Sequence, residues 1–169
     1  MNSITDLWRE ILLNQKTVWL RVTSGSMAPM IPIESQILVE PFHAAKRIRF
    51  GEIAVFSDGT KKLIVHRVLF TQLAKNRFLQ CGDNAQAPSF VSIDNICGVV
   101  KKVTAYEKEF YFDSYPARLF NIFMGMTSVW ILSIGRFWPK AGYFFRRLRC
   151  KIVAQMIRGF SLLSCLKTE

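Results

Sequence analysis

The sequence is poor in the side chains that build metal sites and disulfide frameworks. It has only two histidines and four cysteines. Cysteines 81, 97, 150 and 165 show no Cys-x-x-Cys and no spacing that argues for paired bridges, so reduced, partly buried thiols are expected and no metal is. Acids are scarce too, with 12 Asp or Glu against 23 Lys or Arg. There is no internal repeat and no low-complexity segment. The chain also lacks a leading apolar run. Asp6, Arg9 and Glu10 interrupt residues 3–15, which excludes a signal peptide or a spanning helix there.

Half of the 169 residues are hydrophobic, which is ample for a core at this length. The length suits one domain plus an appendage. The net charge of +11 is concentrated at the end. Residues 115–169 carry nine Lys or Arg and one acid, whereas residues 1–114 carry fourteen and eleven. A basic tail can meet nucleic acid or an anionic lipid surface, and its hydrophobicity decides between them.

Three segments follow from the patterning. Residues 1–16 hold a short amphipathic helix over 3–15, with Ile4, Leu7, Trp8, Ile11 and Leu12 on one face. Residues 17–114 read as short strands and turns, with candidates at 17–23, 36–40, 52–57, 62–70, 77–81, 96–105 and 109–112, which predicts a barrel-like or coiled β-fold. Residues 115–169 form a helical, hydrophobic and basic segment. Leu119 to Gly135 is uncharged, at the lower end of the length that spans a bilayer, and Trp130, Phe137 and Trp138 suit an interfacial anchor. From Tyr143 to Leu166, Phe145, Leu148, Ile152, Met156, Phe160 and Leu163 share a face, Arg146, Arg147, Lys151 and Arg158 lie elsewhere, and Arg149 intrudes near the apolar side. Membrane association through 119–166 is expected, with no nucleic-acid partner and the side of the membrane left open.

The stretch Ser24-Gly25-Ser26-Met27-Ala28-Pro29-Met30-Ile31 follows a strand-like run and sets a hydroxyl on either side of a glycine, a suitable place to hold a nucleophile clear of a sheet. A serine needs a base within hydrogen-bond reach. His66, inside the apolar run Leu63-Ile64-Val65-His66-Arg67-Val68, is that candidate, while His43 sits in a loop and reads as surface. Arg67 points to the face opposite His66, in a structural or surface role. Asp83 in Gly82-Asp83-Asn84 supplies an acid, with Asp94 in reserve.

Together these motifs resemble type I signal peptidases, most closely the histidine-containing branch found in the endoplasmic reticulum, archaea and some bacteria. The resemblance covers roughly Val18 to Val103. It implies a mainly β serine endopeptidase that cleaves leader or signal peptides of a peptide or preprotein substrate after small residues, without a cofactor. By the same resemblance Ser26 is the nucleophile, His66 the general base, Asp83 the acidic member, and Ser24 with the Ser26 amide the oxyanion site. Ile31, Ile33, Ile64 and Val65 would supply apolar walls for an extended substrate. Most members of that family begin with a spanning helix, which is not expected here. Three alternatives stay open: a dedicated peptide-maturation protease of a biosynthetic cluster, a non-catalytic membrane adaptor on the same fold, and a self-cleaving regulator of the related repressor and mutagenesis family. Members of that last family use lysine where this chain has His66, and only sixteen residues precede the first strand here.

Overall fold

Alternating apolar residues and turn-forming separators between residues 17 and 112 produce eight strands in the computed structural model of the chain, which describes residues 10–11, 14, 17–43, 47–58, 62–85, 87–105 and 108–165, with side chains through 157. The expected 3–15 helix lies largely outside the described residues, of which 10, 11 and 14 are helical. The strands are β1 (Val18–Arg21), β2 (Gln36–Pro41), β3 (Ile53–Ser57), β4 (Leu63–Gln72), β5 (Arg77–Cys81), β6 (Ser89–Ser92), β7 (Ile96–Ala105) and β8 (Lys108–Tyr111). They form one sheet in the order β1-β2-β7-β3-β4-β5-β6, with β8 added to β7 and every pairing antiparallel. The fold is mainly β with a helical C-terminal segment, as the patterning predicts.

The sheet buries both its faces. Along β3, Ile53 and Val55 enter one apolar cluster with Met27, Ile31, Ile37 and Val103, while Ala54 and Phe56 enter a second with Val68, Phe78 and Ile96. The two-residue pleat sends alternate side chains to opposite faces, so a strand buried on both must be apolar throughout. Each candidate strand of the sequence forms within two residues of its expected limits. The addition is β6, whose Ser-Phe-Val-Ser carries too little alternation to be read as a strand.

Two helices follow, α1 (Tyr115–Phe137) and α2 (Pro139–Cys165). They break at Trp138, where Pro139 opens the new helix without an N–H to satisfy. The helices pack closely, because a Cβ on Gly142 would lie 2.5 Å from the Gly135 Cα. The α1 helix is long and apolar enough to cross a membrane.

The helical pair buries a mixed polar and apolar face and leaves many large apolar side chains exposed. Asn121, Met124, Gly125, Ser128 and Ile131 of α1 are buried, as is Arg146 of α2. Leu119, Phe123, Met126 and Trp130 of α1 and Phe144, Leu148, Ile152 and Met156 of α2 are exposed. Arg146 is therefore not on a solvated face, and Arg149 also turns inward. Arg149 donates to Ser128 Oγ at 2.6 Å and to the Asp83 carbonyl, and Arg146 donates to the Ala85 carbonyl at 3.2 Å.

Candidate active site

The serine stretch folds as one tight helical turn between β1 and β2. Ala28 N donates to the Gly25 carbonyl at 3.1 Å and Ile31 N to that of Met27 at 2.9 Å. Met27 and Ile31 are fully buried and root the turn in the first apolar cluster. This leaves Ser24 and Ser26 facing a cleft, their hydroxyl oxygens 3.4 Å apart.

His66 reaches the same cleft from β4, paired with Ala54 of β3. Phe56 meets its ring edge-on at a centroid separation of 6.3 Å. The β4–β5 register sets Arg67 opposite Cys81, so the next residue, Gly82, falls opposite His66. A Cβ at Gly82 would lie 2.6 Å from the Ser26 carbonyl oxygen and 3.0 Å from His66 Nε2. The missing side chain is what lets the serine turn and the imidazole converge. Among the described residues the Ser26 hydroxyl bonds to Ser24 and not to His66. Such hydrogen bonds are often long in the absence of substrate.

The cleft encloses about 780 Å³. Ile31, Ile64 and Val65 border it together with Ser24, Ser26 and His66, and Leu20, Val22 and Leu63 extend its apolar wall. Ile33 is not part of that wall. It is exposed and packs over Gly25, its Cδ1 3.5 Å from the position of a Cβ there.

The acid is placed differently from the sequence expectation. Asp83 does not bond to His66. Its two carboxylate oxygens accept from Arg67 Nε and Nη2, both at 2.7 Å. Arg67 is wholly buried and donates from Nη1 to the Gly51 carbonyl and to Asn121 Oδ1 of α1, each at 2.8 Å. A guanidinium removed from water needs a charged, two-pronged partner, and that need claims Asp83. Asp94, the reserve acid, bonds to Asn76 and Ser92 at the approach to β7. The group on His66 Nδ1 is Gln80 Oε1, at 2.5 Å.

Burial disfavours the charged imidazolium and lowers the pKa of His66 from its ordinary 6.5, outweighing the Gln80 hydrogen bond and the through-space charge of Asp83, which both raise it. Asn84 is a further contributor that the sequence reading passed over. Its N–H donates to the Ser26 carbonyl at 2.7 Å and its Nδ2 to the Gly25 carbonyl at 3.4 Å, clamping the serine turn. Its place directly after Gly-Asp was the available signal. Cys81, Cys97 and Cys150 form no disulfide, and burial with the nearby Asp83 charge pushes the Cys81 thiol up to about 11, out of nucleophilic range. Among the described residues no cluster of three or more His, Cys, Asp or Glu is placed to hold a metal ion.

The chain thus presents a serine on a tight turn, a neutral histidine beside it and an apolar cleft leading to both. The Peptidase S24-like family model matches residues 3–104, from ahead of β1 into β7 and across every residue of this site. No curated protein matches the sequence. The family shown is a serine-peptidase-like one and does not single out the type I signal peptidases that the motifs resemble. On a match over more than half its length, the chain belongs to the Peptidase S24-like family, a group of serine-peptidase-like hydrolases.

Proposed function

We propose that the chain is a signal-peptidase-type serine endopeptidase, cleaving leader or signal peptides after small residues while attached to a membrane surface by its two C-terminal helices. The observation that carries this reading is the convergence of the Ser26 turn and His66 Nε2 on Gly82, at one end of an apolar cleft. In the proposed reaction Ser26 Oγ attacks the scissile carbonyl carbon and His66 Nε2 takes its proton. The Ser26 amide and the Ser24 hydroxyl donate to the oxyanion. The C–N bond breaks as His66 returns the proton to the leaving amine, and water then releases the acyl group by the same route. An extended substrate lies along the wall formed by Ile31, Ile64 and Val65.

The helices supply the attachment. The buried face of α1 is engaged with the β-domain through Asn121 and Arg67, so crossing a bilayer would strip a buried guanidinium of a partner. The exposed apolar faces of α1 and α2 instead fit a helical pair lying along the lipid interface, with the basic residues of the tail near anionic headgroups.

The test is incubation of the purified full chain, in detergent or lipid, with synthetic peptides carrying an apolar stretch followed by alanine at the cleavage position. Identification of the new N-terminus should place the cut after alanine. Ser26→Ala and His66→Ala should each abolish cleavage while the fold is retained. Cleavage that survives Ser26→Ala would overturn the assignment.

A further inference from the structure

The group against His66 Nδ1 is an amide where a carboxylate is expected. On one face of the sheet, His66 of β4 and Gln80 of β5 are diagonal neighbours, since Val68 pairs with Gln80 and Arg67 with Cys81. Gln80 is buried, at 5% exposure, with Oε1 2.5 Å from His66 Nδ1 and Nε2 2.5 Å from Ser89 Oγ. Ser89 is held there because β6 pairs it with Gln80. The strand that the sequence did not reveal thus contributes one hydroxyl at the far end of a relay.

We propose that Gln80, steadied by Ser89, is the positioning residue of the site: its Oε1 accepts the Nδ1–H of His66 and so keeps Nε2 bare and turned toward Ser26. This rests on the peptidase reading of Ser26 and His66. A neutral imidazole has one N–H and one bare nitrogen, and only the tautomer with the proton on Nδ1 serves as base through Nε2. With Ser89 Oγ accepting from the amide nitrogen, the amide oxygen is left for His66. Asp83 cannot take the role, both its oxygens being held by Arg67. An amide fixes ring and tautomer as a carboxylate does, but adds no full charge next to the imidazolium that forms during reaction. Gln80→Leu removes the acceptor. Gln80→Glu keeps an acceptor in place and adds a charge that favours the protonated ring.

The experiment has two arms on the full chain. In the first, nitrogen NMR of the His66 ring reads the tautomer without reference to activity. Wild type should carry the proton on Nδ1, and Gln80→Leu should shift the ring toward the Nε2–H form. In the second, peptide cleavage is measured against pH. Gln80→Leu should lower kcat by about a hundredfold or more with KM within about twofold, as expected for an enzyme whose base is in the wrong tautomer. Gln80→Glu should restore much of that loss and move the acid limb to higher pH, whereas a merely structural glutamine would leave the limb in place. An Nε2–H ring in wild type, or a Gln80→Leu enzyme with full kcat and an unmoved pH profile, would overturn the proposal. If wild type shows the Nδ1–H tautomer and Gln80→Leu loses it, but no peptide is cut, the peptidase reading fails and the Gln80 assignment stands.

Discussion

Arg67 and Asp83 form a two-bond ion pair, 0% and 1% exposed, one residue along the strand from His66. The pair holds together β4, the Gly82–Ala85 loop and, through Asn121, helix α1. The same loop contacts the serine turn through Asn84 and is gripped from α2 by Arg146 and Arg149. The acid next to the site is therefore a keystone for its geometry.

Removing one partner of this pair leaves a buried charge uncompensated. Asp83→Asn and Arg67→Met should each cost about 3–5 kcal/mol, seen as a large fall in Tm. The double variant should lose less than the sum of the two. If Asp83 instead oriented His66 directly, Asp83→Asn would depress kcat at an unchanged Tm, so calorimetry beside kinetics decides between the roles.

The Ser24 hydroxyl lies 3.4 Å from that of Ser26 and is exposed to the cleft. Ser24→Ala should retain the fold and reduce kcat by about a hundredfold, the usual effect of losing one oxyanion donor, whereas Ser26→Ala should leave none. Equal rates for Ser24→Ala and wild type would remove Ser24 from the mechanism.

Gly82→Ala tests the convergence. The added carbon would press on a backbone oxygen at 2.6 Å and on His66 Nε2 at 3.0 Å, so turn and ring must part. A displacement of that order costs about a hundredfold in kcat/KM. An unimpaired alanine variant would mean that the serine and the histidine do not work together.

The pH dependence follows from burial of His66. Its pKa lies below the ordinary 6.5, and the base must be neutral. The acid limb of kcat/KM should therefore fall below pH 6.5, with activity retained into mildly acidic solution. The folded state holds this proton less tightly than the unfolded chain. Its contribution to stability is thus full above the unfolded value and declines as pH falls toward the folded one. An acid limb centred above about pH 7 would contradict the burial argument.

Attachment can be read by flotation with vesicles of mixed neutral and anionic phospholipid. The chain should float with them, and Phe123→Glu combined with Phe144→Glu, both on exposed positions, should abolish flotation without lowering Tm. Retained flotation would point away from the apolar face as the lipid contact.

Seven of the eight strands, the serine turn and the two C-terminal helices were legible from the chain itself, because alternation along a strand, periodicity along a helix and the conformational demands of glycine and proline are local properties. Tertiary structure alone decided the partnerships. Asp83 stands close in sequence to a plausible catalytic role, yet the cost of leaving Arg67 charged and dry draws it to the other face of the strand. Gln80 meets His66 only once two strands adopt a particular register, and Ser89 joins them only through an edge strand too polar to announce itself. The outward apolar face of α1 and α2 was equally a matter of docking: the same periodicity describes a face turned toward a core or away from it, and the buried bonds of Asn121, Arg146 and Arg149 settle which.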